Sequence, residues 1–169
     1  MKEDEKDILR TWSRDFGMAL SPGQMDLFGL YLDALWEWNR KFNLTGLSSR
    51  KEIVQELLID SLIPVPFLPQ EGRFLDVGSG AGFPAIPLKI CKPGLEALLI
   101  EASAKKVSFL KQVIRAAGLP GIEVVRGRIE KEGNHLIPER QAIITARALA
   151  PLPRTLAWCA PYAASQGMI

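Results

Sequence analysis

The chain has 169 residues, of which 47% are hydrophobic and 24% are charged, a composition typical of one folded domain with a substantial core. This composition excludes an intrinsically disordered chain. None of its apolar runs reaches the roughly 20 residues that span a bilayer, and the N-terminus lacks the basic-then-apolar pattern of a signal peptide. We therefore expect a cytoplasmic protein without a membrane partner. The formal net charge of +2 does not by itself identify a nucleic-acid partner.

Residues that bind metals or form disulfides are few. Cys91 and Cys159 lie far apart, belong to no zinc-binding spacing, and have only His135 as a potential imidazole partner. We expect two free thiols and no metal.

The first part of the chain has the periodicity of helices. A helical pattern runs from about Asp4 to Ala19, and Ser21 followed by Pro22 predicts the start of a second helix. Ser49 and Glu52 have the capping-box spacing that starts a third. A run of prolines then ends the pattern, so we predict an N-terminal helical region over residues 1–70.

The second helix carries an apolar stripe, which we interpret as core packing and not as a cofactor-binding feature. Its members recur at steps of three and four residues: Leu27, Leu30, Tyr31, Ala34, Leu35 and Trp38.

From residue 71 onward, short apolar strands alternate with helices, which predicts an α/β domain with a Rossmann-like parallel sheet. The strands are predicted at 74–77, 95–101, 122–125 and 142–146. This count gives four strands, and the chain ends a short distance after them. We therefore expect a domain over residues 71–169 that is C-terminally incomplete, with its fourth strand at an open edge.

A glycine-rich turn follows the first predicted strand, where residues 76–84 read Asp-Val-Gly-Ser-Gly-Ala-Gly-Phe-Pro. Glycines at this position let a ligand approach the backbone, and the next helix offers unpaired N–H groups to it. Phe83 stands where a dinucleotide fingerprint requires its last glycine, which disfavours NAD. Glu101 ends the second strand, where a carboxylate can accept two hydrogen bonds from an adenosine ribose.

The turn and the acid together predict an S-adenosylmethionine-dependent methyltransferase. The alternative, in which the turn is only a tight connection and Glu101 a solvated carboxylate, stays open.

Some methyl-transfer chemistries are disfavoured. The fourth strand is followed by Thr145-Ala146-Arg147-Ala148-Leu149, and not by the Asn/Asp-Pro-Pro-aromatic run that serves exocyclic amines. Neither cysteine has the setting of a pyrimidine C5 nucleophile. A ring nitrogen such as guanine N7 loses no proton on methylation, so positioning alone can supply the catalysis.

Five ordered segments resemble the ribosomal small-subunit methyltransferase G family, also called glucose-inhibited division protein B. They are residues 35–45, including Trp38-Asn39 and Asn43-Leu44-Thr45, then 59–62, 76–84, 105–110 and 145–148. The resemblance implies methyl transfer from S-adenosylmethionine to N7 of one guanine in 16S ribosomal RNA. The partner would be that RNA or the small ribosomal subunit, bound by a monomer.

The resemblance also implies a set of site residues. The cofactor-binding candidates are Gly78, Gly80, Gly82, Phe83, Glu101, Ile129, Glu130 and Arg147. The alternative is an ordinary helix start for Ile129 and Glu130, and a surface salt bridge for Arg147. The positioning candidates for catalysis are Arg147, Asn39 and Asn43, with capping of the adjacent turn as the alternative for the two asparagines. Glu56 and Leu57 depart from the family, which usually has a basic residue and a histidine there.

Basic residues in both parts of the chain predict a rim that faces phosphates, with an ordinary solvated face as the alternative. The rim candidates are Arg40, Lys41, Arg50, Lys51, Lys105, Lys106, Lys111, Arg126 and Arg128. Two other functions stay open: a cofactor-binding but inactive RNA-binding or regulatory module, and an NAD-dependent oxidoreductase.

Overall fold

The computed structural model describes the backbone of residues 1–169 and the side chains of residues 1–130 and 135–169. The N-terminal part is helical. Its elements are α1 (Glu3–Asp15), α2 (Pro22–Phe42), α3 (Arg50–Glu52), a π-helical segment (Ile53–Leu58), α4 (Ile59–Leu62) and a 3-10 turn (Val65–Phe67). Within the described part of the chain, no helix is long and apolar enough to cross a membrane.

The two predicted helix starts in this region are confirmed. Ser21 Oγ accepts a hydrogen bond from Gln24 N at 3.2 Å, and Gln24 Oε1 accepts one from Ser21 N at 2.8 Å. Ser49 and Glu52 form the same reciprocal pair, with distances of 3.2 and 3.1 Å. Each pair satisfies backbone N–H groups that the first turn of a helix leaves without partners.

The remaining elements form a parallel sheet covered by helices, which confirms the predicted fold class. The strand order is β3-β2-β1-β4-β5. The strands are β1 (Glu71–Val77), β2 (Gly94–Glu101), β3 (Ile122–Arg126), β4 (Gln141–Ala146) and β5 (Ala163–Met168), and the helices are α5 (Ala85–Cys91), α6 (Ala104–Ala116), α7 (Ile129–Leu136) and α8 (Leu152–Cys159), with a 3-10 turn at Ala160–Tyr162.

The predicted count of four strands is wrong. A fifth strand, β5, pairs with β4 through Gln141↔Ala163 and Ile143↔Met168, with a register shift between them. Consequently β4 is not the edge of the sheet. The sequence of β5, AASQGM, is small and polar, with no β-branched or aromatic residue, and so lacks the alternation that indicates a strand.

The sheet separates two apolar clusters, because neighbouring residues of a strand point to opposite faces. Phe74, Leu99 and Ile143 pack with the N-terminal helices and with α5 and α6. Leu75 and Ile144 face the other way, toward the side of α7 and α8. The first of these two clusters therefore contains residues of both the helical region and the sheet.

A largely buried ion cluster ties the N-terminal helices together. Glu5, which is 2% exposed, accepts from Arg50 Nε at 2.6 Å and from Arg50 Nη2 at 2.9 Å. Arg50 Nη1 lies 2.7 Å from Asp33 Oδ1 on α2. The Arg50 side chain is 13% exposed and paired with two carboxylates of the chain, so its assignment to a phosphate-facing rim is wrong.

Candidate cofactor-binding and active site

The glycine-rich turn lies where β1 ends and connects it to α5 at the carboxyl edge of the sheet. Gly78 and Gly82 have φ angles of +74° and +96°, which L side chains rarely adopt. A Cβ on Gly78 would lie 2.8 Å from Leu149 Cδ1, and one on Gly82 would lie 2.6 Å from Ile86 Cγ1. Both positions require glycine for conformation and for space.

Glu101 binds the turn from the neighbouring strand. Its Oε2 accepts a hydrogen bond from Gly80 N at 2.8 Å, and its Oε1 accepts one from Ser103 N at 2.7 Å. The side chain is 8% exposed. A carboxylate has about four lone-pair sites, so these two bonds leave acceptor capacity on both oxygens.

Tyr31 of α2 binds the turn from the opposite side. Its hydroxyl donates to Ala81 O at 2.8 Å, and its ring lies 5.2 Å from the ring of Phe83. Burial raises the pKa of Tyr31 well above its ordinary value, so the hydroxyl keeps the proton that it donates. Sequence reasoning placed Tyr31 in a packing stripe and missed this role, because periodicity shows that a residue is buried but not which group its hydroxyl meets.

Asp76, near the end of β1, is a buried carboxylate that sequence reasoning did not select as a candidate. It is 1% exposed, and its Oδ1 accepts from Thr145 Oγ1 at 2.6 Å. Its buried Oδ2 has no hydrogen-bond partner among the described residues. Burial, together with the nearby charge of Glu101, raises the pKa of Asp76 to about 7. An orphaned buried carboxylate oxygen under the turn favours a ligand with positive charge or N–H donors.

A cavity of about 250 Å³ opens beside the turn. It brings together five of the predicted cofactor-binding residues: Gly78, Glu101, Ile129, Glu130 and Arg147. Gly80, Gly82 and Phe83 do not line it. The Phe83 side chain is 7% exposed and packs in the core against Tyr31, so it supports the turn from beneath.

Arg147 stands between this cavity and a second one of about 340 Å³, which is lined mainly by apolar residues. Its Nη2 donates to Glu56 O at 2.9 Å, and its Nη1 lies 3.0 Å from Asp60 Oδ2. Nη1 is buried and makes no well-directed hydrogen bond with the described residues. The arginine therefore keeps an N–H donor at the boundary of the two cavities.

The two asparagines organise the turn after α2. Asn39 Nδ2 donates to Leu47 O at 2.9 Å, and Asn39 Oδ1 accepts from Thr45 N at 2.9 Å. Asn43 ends α2 with a φ of 47° and accepts from Gly46 N at 3.0 Å. Neither lines the two cavities around Arg147. Their contacts are those of turn-capping residues.

The known proteins that this chain resembles agree with the geometry. Residues 24–169 match the model of the GidB family, described as rRNA small subunit methyltransferase G. The chain belongs to this family. It is 36% identical over 170 residues to ribosomal RNA small subunit methyltransferase G of Thermoanaerobacter sp. (strain X514), covering 99% of this chain and 71% of that protein.

A relative from Syntrophobacter fumaroxidans, ribosomal RNA small subunit methyltransferase G 1, is 39% identical over 155 residues, which cover 90% of this chain and 70% of the relative. Among solved structures, a SAM-dependent methyltransferase from Thiobacillus denitrificans in complex with S-adenosyl-L-homocysteine superposes with a TM-score of 0.53. The two chains are 20% identical, and the superposed part covers 68% of this chain and 47% of the Thiobacillus chain.

The family and the fold confirm the predictions of a methyltransferase and of S-adenosylmethionine as its cofactor. Membership of a methyltransferase family argues against the NAD-dependent oxidoreductase. Among the residues whose side chains are described, no cluster of three or more His, Cys, Asp or Glu could hold a metal ion.

Asp76→Asn should change how stability depends on pH. Because the folded-state pKa of about 7 lies above the ordinary 3.8, the folded chain keeps a proton that the unfolded chain releases between these pH values. The stability linked to that proton is present below about pH 4 and is lost as pH rises through 7. We expect Asp76→Asn to raise the free energy of unfolding at pH 8 by about 1–3 kcal/mol and to change it little at pH 4.

Denaturant titrations at both pH values, with the exposed Asp15→Asn as the matched control, measure this difference. An equal effect of Asp76→Asn at pH 4 and pH 8 would show that Asp76 does not titrate in this range.

Proposed function

We propose that this chain transfers a methyl group from S-adenosylmethionine to N7 of a guanine in 16S ribosomal RNA, in the cytoplasm. The observation that carries the proposal is the placement of Arg147, whose guanidinium borders both the cavity beside the glycine turn and the apolar second cavity. We assign the first cavity to the cofactor and the second to the target base. Ligands of open parallel sheets bind at this carboxyl edge.

The residues of the first cavity fit the chemical groups of the cofactor. Glu101 has spare lone pairs for a ribose diol, and Ile129 offers an apolar wall for adenine. Asp76 does not itself line the cavity, but its orphaned Oδ2 is buried directly before the lining residues Val77 and Gly78, where a carboxylate favours the cationic part of a molecule that carries an ammonium and a sulfonium. When bound, S-adenosylmethionine supplies an electrophilic methyl group, and the residues described here hold the reactants.

The second cavity suits a nucleophile that needs no base. Its charged lining residues, among those whose side chains are described, are Asp60 and Arg147, and these two are paired with each other. Guanine N7 attacks with its in-plane lone pair and releases no proton, so this cavity has only to orient the ring and exclude water. Guanine also carries an acceptor, O6, next to N7. Besides its ion pair with Asp60, Arg147 Nη1 makes no well-directed hydrogen bond with the described residues, so one of its N–H groups can donate to O6 and leave N7 free to react.

The loop after β4 supports N7 over an exocyclic amine. Amine methylation benefits from carbonyl and side-chain acceptors that relieve the nitrogen of positive charge, whereas Arg147 presents donors at this point. The family name supports ribosomal RNA as the substrate class.

Glu101→Gln should weaken cofactor binding. The amide replaces one acceptor oxygen with a donor, so either Gly80 N or Ser103 N loses its acceptor and a ribose diol finds one acceptor oxygen in place of two, at a cost of about 1–3 kcal/mol. Calorimetric titration with S-adenosylhomocysteine measures the effect, and the exposed Glu123→Gln on β3 is the matched control. An unchanged dissociation constant for Glu101→Gln would remove Glu101 from the cofactor site.

The reaction itself is tested by incubating in vitro transcribed 16S RNA, and small subunits assembled from it, with the chain and labelled S-adenosylmethionine. Borohydride reduction and aniline cleavage then locate 7-methylguanine at single-nucleotide resolution. We expect one guanine to be labelled, at N7. Label on another atom, or no label on either substrate, would refute the proposal.

In the same assay Arg147→Ala should lower kcat/KM about 10- to 100-fold, because the base loses its orientation. Arg154→Ala, on the exposed surface of α8, is the control. A collapsed thermal transition of Arg147→Ala would instead assign the arginine a structural role through Glu56 and Asp60.

A further inference from the structure

A row of aromatic rings runs from the core to the surface between α2 and α6. The Phe109 ring is fully buried, the Trp38 ring lies 5.7 Å from it, and the Phe42 ring lies 5.3 Å from Trp38. Phe42 ends this row and is 44% exposed. The packing beneath fixes the ring in place, although its outer part contacts solvent.

One lysine covers this exposed ring, and three further cations lie close to Phe42 or Lys105 in the sequence. Lys105 Nζ lies over it, 5.2 Å from the ring centroid. Arg40 and Lys41 precede Phe42 at the end of α2, and Lys106 follows Lys105. Within the part of the chain whose side chains are described, none of these four cations forms an ion pair with a carboxylate.

The surface made by Arg40, Lys41, Phe42, Lys105 and Lys106 lies beside the proposed active site. Helix α6 begins at Ala104, three residues after Glu101, which lines the cofactor cavity. Lys105 and Lys106 are therefore in the first turn of α6, at the carboxyl edge of the sheet. A chain that crosses this surface therefore passes near the cofactor cavity that Glu101 lines.

We propose that this surface binds a single-stranded segment of the RNA substrate, with one unpaired base stacked on Phe42 and the adjoining phosphates on the four cations. The proposal rests on the proposed function and adds the place where RNA outside the target base is held. A base that stacks on the ring displaces the Lys105 ammonium, which can then pair with a phosphate. Unpaired RNA bases are commonly held on aromatic rings beside basic grooves.

Charge complementarity favours RNA over a protein partner. An acidic peptide would satisfy the four cations, but its carboxylate side chains have no aromatic face to stack on the ring that Lys105 now covers. A strand of nucleotides offers a base to stack on the ring and phosphates to pair with the cations, with one base for each phosphate.

The test compares three oligomers of equal length by fluorescence anisotropy: single-stranded RNA, a sugar-phosphate strand without bases, and polyglutamate. Phe42→Ala should raise the dissociation constant for single-stranded RNA by about 5-fold or more and leave that for the abasic strand unchanged. Phe42→Trp should retain RNA affinity. Phe67→Ala, which removes a 76%-exposed ring at the other end of β1, is the matched control.

The double variant Lys105→Gln/Lys106→Gln tests the phosphate contacts. It should reduce the slope of log Kd against log salt concentration by about 1.4, as expected for two contacts to single-stranded phosphates. Arg14→Gln/Arg115→Gln is the charge-matched control. Titration of each variant with S-adenosylhomocysteine verifies that the cofactor site is intact.

Equal RNA affinities for Phe42→Ala and Phe67→Ala would overturn this proposal while leaving the proposed function in place, provided that the unaltered chain methylates RNA. An equal loss on the abasic strand would also overturn it, because no base then stacks on the ring. An equal loss on polyglutamate would assign the surface to an acidic protein. If the unaltered chain neither binds nor methylates RNA, both proposals fail.

Discussion

The structure depends on two hydrogen bonds that hold the glycine turn in one conformation. Glu101 binds the N–H of Gly80, and Tyr31 binds the carbonyl of Ala81, from opposite sides of two adjacent residues. The glycines that shape the turn have left-handed φ angles and no space for a side chain, so the turn needs external partners to hold it in one conformation. These two hydrogen bonds leave the cavity beside the turn open for a cofactor.

The N-terminal helices consequently contribute residues to the proposed active site. Tyr31 reaches the turn from α2, the π-helical segment supplies the Glu56 carbonyl to Arg147, and α4 supplies Asp60. These contacts link the helical region to the ends of two strands, β1 and β4. Because one apolar cluster beneath them contains residues of both the helical region and the sheet, a change in the packing of either affects the other.

The sequence was sufficient for features that depend on local chemistry. Helix caps, the glycine turn and the acid at the end of β2 are fixed by residue type and spacing, and the structure contains them. Strand β5 was missed because its small polar residues pair through the backbone alone. The partners of Tyr31, Asp76 and Arg50 were missed because each contact joins residues that are far apart in the chain. Periodicity describes neighbouring residues and does not show such contacts. Phe83 was assigned to the cofactor site because it belongs to the glycine-rich motif, but its side chain packs in the core against Tyr31.

The most direct test of this account is the affinity of Tyr31→Phe for S-adenosylhomocysteine, measured by calorimetry at a temperature where the variant is folded. The substitution removes one hydroxyl and leaves the Ala81 carbonyl buried without its donor, while the ring still packs against Phe83. If α2 holds the turn in its binding conformation, the dissociation constant should rise about 5- to 10-fold, the equivalent of roughly one hydrogen bond. An unchanged dissociation constant would show that the turn keeps its conformation without the helical region, which would contradict the account.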